Sequence, residues 1–157
     1  LGDVYKRQPY GRFSMIVPDV NVLINAFSFT APRHTEAKQW LENALAQRES
    51  VGILDVVATG FIRIMTNPKI FSTPLTPGQA LEAIKSILAS PNAVLLHPVN
   101  ASWDIFDEMI QLHKLRGNEI PDAWIASTVI AEEATLISDD QGFARFPNLR
   151  WSSVKKD

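Results

Sequence analysis

Three aspartates stand where one fold could gather them. Asp19 follows the apolar run Met15–Pro18, Asp122 lies in the first turn of a helical stretch opened by Pro121, and Asp140 comes just after the apolar Thr135–Ile137. Each has an ordinary explanation alone. An aspartate in a first helical turn suits the helix dipole, and one in a loop caps or turns the chain. Yet none has a basic residue adjacent in sequence to neutralise it. Three carboxylates in one cleft repel one another unless a cation joins them. Metal-assisted phosphodiester hydrolysis needs that arrangement, because the ion orients phosphate, activates water and stabilises the leaving oxygen.

The cation implied is a hard one. The chain has no cysteine, which excludes disulfides and thiolate metal sites. Its three histidines, His34, His97 and His113, share no ligand-like spacing. Carboxylate ligands alone point to Mg²⁺ or Mn²⁺. Charge adds a second limit. The chain carries a net −2, which argues against a protein that coats nucleic acid electrostatically but not against an enzyme whose ions neutralise its own acids.

At 157 residues the chain fits one domain. No apolar run reaches the ~18 residues of a membrane span, so the expected setting is the cytoplasm, away from the membrane. The opening string LGDVYKRQ (Leu1–Gln8) is similar to the in-frame translation of a transposon end. On that reading residues 1–14 are a non-native or disordered extension, the natural start is Met15, and residues 15–157 form the single domain. Without residues 1–14 there remain twelve Lys and Arg against sixteen Asp and Glu, a net −4.

The elements that must position the aspartates alternate along the chain. Strands are expected at Met15–Pro18, Val51–Leu54, Val94–Leu96 and Thr135–Ile137, with a fifth at the edge around Trp151. Helical spacing covers Val20–Phe27, Thr35–Ala46 and Val56–Met65, with Asp55 as a cap for the last. Thr76-Pro77-Gly78-Gln79 reads as a capping box opening a helix to about Ala89. Asn100 is expected to cap a helix ending at Gly117, and Pro121 to open another. This order predicts an α/β fold: a central, mostly parallel sheet of four to five strands flanked by helices in three layers. In such sheets the ligand site lies beyond the carboxyl ends of the strands, where Asp19 and Asp140 fall.

Two segments make the reading specific. VPDVNVLINAF (Val17–Phe27) resembles the opening motif of PIN-domain proteins, in particular the VapC toxins, and IPDAWIASTVIAEEATLISDDQGFARFPNLRW (Ile120–Trp151) resembles their C-terminal half. GFIRIMTNPKIF (Gly60–Phe71) is similar to one branch of those toxins. The resemblance spans Met15 to Trp151. It implies a PIN fold, Mg²⁺- or Mn²⁺-dependent endoribonuclease activity, an RNA substrate, inhibition by a cognate antitoxin protein, and a homodimer.

Carried over by residue, Asp19, Asp122 and Asp140 match the family's catalytic, metal-binding acids. Asn21 and Ser138 match polar residues that support them. The glutamate that PIN proteins usually carry on the middle helix is here Gly60; Glu119, three residues before Asp122, is an auxiliary candidate. Arg63, Lys69, Lys114, Arg116 and Arg145 are candidates for RNA phosphates. Trp40, Phe61 and Phe71 are candidates for a partner groove, with core packing as their ordinary role. A catalytically weakened RNA- or protein-binding module, a DNA-directed nuclease, and a phosphatase with a nucleophilic aspartate remain as alternatives.

Overall fold

In the computed structural model, which describes residues 14–154, short apolar runs become strands because helices cover the sheet and leave little strand surface to water. The strands are β1 (Met15–Pro18), β2 (Ser50–Leu54), β3 (Ala93–Leu96), β4 (Thr135–Ile137) and β5 (Arg150–Ser152). They form one sheet in the order β3-β2-β1-β4-β5, and every neighbouring pair is parallel. Ile16 pairs with Val51 on one side of β1 and with Thr135 on the other. The chain builds outward from β1 to β3, then returns to the other side of β1 to lay down β4 and β5. The carboxyl ends of β1 and β4 therefore flank the point where strand order reverses, the place such sheets reserve for ligands. Asp19 follows β1, and Ser138 to Asp140 follow β4.

The helices are α1 (Val20–Phe27), α2 (His34–Leu45), α3 (Asp55–Met65), α4 (Pro77–Leu88), α5 (Asn100–His113) and α6 (Glu119–Ala131). One set joins α1 to α2 and α3, and α3 to α4; α5 packs on α6. Val17, Leu23, Ile53, Phe61, Leu96 and Leu136 lie wholly or almost wholly out of solvent in the core between sheet and helices. Phe27 meets Phe61 edge to face at 5.6 Å. Phe61 is thus core rather than groove, while Trp40 and Phe71 pack half-buried against the core.

Local chemistry sets several boundaries. The Thr76 hydroxyl accepts from Gln79 N, and Gln79 returns a bond to Thr76 N, the expected capping box. Three boundaries differ from expectation. Asn100 is the first residue of α5 and forms no side-chain cap; Val99 precedes it in extended conformation. The same helix ends at His113 rather than Gly117, because Lys114 turns left-handed at φ 52° and breaks the hydrogen-bond ladder. α6 then starts at Glu119, two residues before Pro121, whose missing N–H costs nothing in a first turn. The expectation for residues 1–14 falls, except for Ser14, outside the described residues.

Candidate active site

The site is built around one buried hydroxyl. Ser138, fully buried at the end of β4, donates to Asp19 Oδ2 at 2.9 Å. Its oxygen also accepts from Asn21 Nδ2 at 3.1 Å and from Asp140 N at 3.1 Å. One donor and two acceptor sites exhaust a serine hydroxyl. Ser138 is itself pinned by β5: its N–H donates to Ser152 O at 3.0 Å, and its carbonyl accepts from Trp151 Nε1 at 2.9 Å.

Asn21 closes the arrangement. Its Nδ2 also donates to Asp19 Oδ2 at 3.2 Å, and its Oδ1 accepts from Asp139 N at 3.3 Å. Asp19 caps α1 by accepting from Val20 N at 2.8 Å. The first turn of α1 and the loop after β4 are thus tied together through the groups that carry Asp19 and Asp140. Asp140 in turn caps the short 3₁₀ turn Gln141–Arg145 by accepting from Gly142 N at 2.8 Å.

Asp122 reaches the same region from the first turn of α6. Burial pushes the Asp19 carboxyl above its ordinary range; the bonds from Val20 and Ser138 oppose this, and the charges of Asp122 and Asp140 add to it. Burial also raises Asp122, with Asp140 adding to the rise and Arg145 opposing it. The three acids are therefore close enough to influence one another's charge. Among the described residues, no three His, Asp or Glu side chains already converge as a metal-ligating group. The donor set still suits a hard cation: all oxygen, two of the acids raised partly by neighbouring negative charge, and no thiol. Two of the three histidines are engaged elsewhere, His34 with Asn25 O at 2.9 Å and His97 with Asp55 at 3.3 Å.

The remaining candidates are placed as follows. Glu119 accepts from Arg116 N at 3.4 Å, a bond at the start of its own helix. At Gly60 in α3 an added Cβ would meet Val20 Cγ2 at 3.7 Å, an ordinary contact, so the glycine faces the residue that follows Asp19 and leaves room there. Trp124 stacks edge-on with Phe106 (5.1 Å) and Trp103 (6.2 Å) between α5 and α6.

The contacts of two residues escaped sequence reasoning. Arg145, expected as a candidate for RNA phosphates, has its Nη2 3.2 Å from Asp122 Oδ2. Asp139 latches the loop: it accepts from Val154 N at 3.2 Å and pairs with Arg33 at 3.5 Å. The doubled acid in Ile137-Ser138-Asp139-Asp140 was the available signal for Asp139.

A parallel five-stranded sheet with three aspartates at its switch point is the architecture of a PIN-type nuclease fold. Residues 16–149 match the PIN domain family, and the chain belongs to it. Among its relatives, ribonuclease VapC43 of Mycobacterium tuberculosis is 37% identical over 137 residues, which is 87% of this chain and 93% of that protein. Ribonuclease VapC37 of the same organism is 32% identical over 137 residues, 87% of this chain and 95% of that protein. The fold is similar to a chain of VapBC2 from Rickettsia felis, crystallised on a promoter DNA fragment (TM-score 0.66, 18% identity, 88% of this chain and 98% of that one). It is likewise similar to a chain of VapBC-1 from nontypeable Haemophilus influenzae (TM-score 0.65, 17% identity, 90% and 99%).

Proposed function

We propose that this chain is the toxin of a toxin–antitoxin pair, an endoribonuclease that hydrolyses RNA phosphodiesters with Mg²⁺ or Mn²⁺ held by Asp19, Asp122 and Asp140. The observation that carries the reading is the Ser138 hydroxyl, which binds Asp19, Asn21 and the backbone of Asp140 at once. A buried polar hub of this kind fixes two acids from opposite ends of the chain, and the relatives named as VapC ribonucleases supply the reaction class.

A divalent cation bound here would supply Lewis acidity and an attacking hydroxide at neutral pH. The chain's own groups do the rest. Asp19 is oriented by the bonds it accepts from Val20, Asn21 and Ser138, and those from Val20 and Ser138 oppose the effect of burial on its carboxyl. Asp122, on α6, approaches from the other side of the cleft. Asp140, whose Oδ1 caps the 3₁₀ turn, orients the water. Oxygen attacks phosphorus in line, the bond from phosphorus to the 3′-oxygen breaks, and the departing oxygen takes a proton. Products then carry 5′-phosphate and 3′-hydroxyl ends.

The antitoxin is assigned to a cavity of about 600 Å³ bordered by α1, α2 and α4, where Phe27, Leu41, Leu45 and Ile87 offer apolar contacts and Phe29 is 86% exposed. An amphipathic segment laid into such a groove is a common recognition mode. The homodimer and a cytoplasmic setting belong to the same proposal; among the described residues no helix is long and apolar enough to cross a membrane.

The test is end analysis of RNA fragments cut by the purified protein. Fragments that accept ligation through a 5′-phosphate support the mechanism. Ends of the 2′,3′-cyclic phosphate type, or no fragments at all from folded, antitoxin-free protein, refute it; the second result would favour the binding-module alternative that Gly60 suggests.

A further inference from the structure

The guanidinium of Arg145 stands where the site's own charge balance calls for a cation. Its Nη2 is 3.2 Å from Asp122 Oδ2, with the two side chains 38% and 30% exposed. A Cβ placed on Gly142 would lie 3.0 Å from Asp140 Oδ1 and 3.1 Å from Arg145 Nη1, so the turn brings both side chains against the same glycine, while the ion pair that Arg145 makes is with Asp122.

We propose that Arg145 is an exchangeable internal counter-cation: it occupies Asp122 when no divalent ion is bound and must leave when one enters. The proposal rests on the metal-dependent reading above. Its physical basis is competition. A part-exposed arginine–carboxylate pair is weakly held because water screens it, whereas a doubly charged hard ion engages several carboxylates together. Its guanidinium carbon also lies 4.8 Å from the centre of the Phe146 ring, a second contact that needs no carboxylate. The turn that carries it is anchored by Phe143, which is buried in the core, so the head group can pivot while the backbone stays. Apparent metal affinity then falls by the fraction of molecules in which the arginine holds the site. Arg145 is on this account a positioning residue that keeps the acids compatible when metal is scarce.

The experiment is calorimetric titration of the full chain with Mn²⁺ alone. The proteins compared are the wild type, Arg145→Gln, Arg145→Met (which keeps an apolar stem against Phe146), Asp122→Asn, and the Asp122→Asn/Arg145→Gln double variant. Both single arginine variants are expected to bind Mn²⁺ about fivefold more tightly than wild type or better. The gain should disappear in the Asp122→Asn background, because the arginine no longer has a competitor to exclude. A merely structural role for Arg145 would move affinity the other way. Unchanged or weaker binding in both arginine variants, beside a wild type that binds, overturns the proposal and leaves the metal reading standing. Tighter binding that persists undiminished without Asp122 also overturns it. No Mn²⁺ binding by any of the proteins overturns the proposal and the metal reading together.

Discussion

Ser138 Oγ donates to Asp19 Oδ2 across 2.9 Å, joining residues 119 positions apart at the ends of neighbouring parallel strands. The bond is buried, and the hydroxyl that makes it also accepts from Asn21 and Asp140 N. Asp19 is therefore oriented by Val20 N, Asn21 and Ser138 together.

Ser138→Ala follows directly. The substitution leaves Asn21 Nδ2 and Asp140 N short of an acceptor and Asp19 short of a donor. Loss of a buried partner of this kind costs about 1–3 kcal/mol, and supporting bonds around metal ligands are typically worth about 10–100-fold in affinity or activity. Cleavage kinetics with a Mn²⁺ titration should show a drop in that range. Asn21→Ala should fall in the same direction. A Ser138→Ala protein with wild-type rates would mean that the hub does not orient the acids.

Thermal melts of Asp122→Asn test the repulsion among the acids. The folded state raises the Asp122 carboxyl above its ordinary 3.8 through burial and the charge of Asp140. Such a group adds stability when protonated, below about that value, and the contribution is lost as pH rises through the higher folded value. Ionised Asp122 is therefore a burden at neutral pH without metal. Asp122→Asn should melt higher than wild type at pH 7 in EDTA, and the advantage should vanish below pH 3.8. In a chain of this size each kcal/mol corresponds to about 2–4 °C. Saturating Mg²⁺ should narrow or reverse the difference at pH 7, since the ion stabilises only the protein that binds it well. A variant less stable than wild type in EDTA at pH 7 would contradict this account.

Much of this was legible in the sequence because of where it falls. Asp19 and Ser138–Asp140 directly follow apolar runs, and parallel order places the ends of β1 and β4 side by side. The capping box at Thr76 was equally plain, since its signal lies within four residues. Arg145 was not legible. Its contact with Asp122 depends on which way a 3₁₀ turn aims a long side chain, and nothing local sets that. Asp139 looked like a neighbour of the important acid, yet it latches the loop through Arg33 and Val154, two partners far away in sequence. The end of α5 was misplaced for a related reason. Gly117, at φ 61°, is an obvious stop, but Lys114 adopts the left-handed conformation first.

Gly60→Glu would place a carboxylate where the sequence resemblance leads one to expect it. An added Cβ meets only Val20 Cγ2 within 4 Å, so the helix accepts it, and removing a glycine from a helix interior favours folding by about 0.5–1 kcal/mol. The variant should reach half-maximal cleavage at lower Mn²⁺ than wild type. In EDTA the added charge should offset part of the gain in helix stability. An unchanged metal requirement in a folded variant would show that the Gly60 position does not serve the site.

The central claim is that Asp19 holds a metal used to cut RNA. Its most direct test is cleavage of a mixed bacterial RNA pool by the purified chain in EDTA, Mg²⁺ and Mn²⁺, beside Asp19→Asn, whose side-chain oxygen can still cap Val20. The account predicts cutting by wild type in at least one metal, none in EDTA, and a loss exceeding about 100-fold in Asp19→Asn. Cutting that persists in EDTA, or an Asp19→Asn protein as active as wild type, would contradict it.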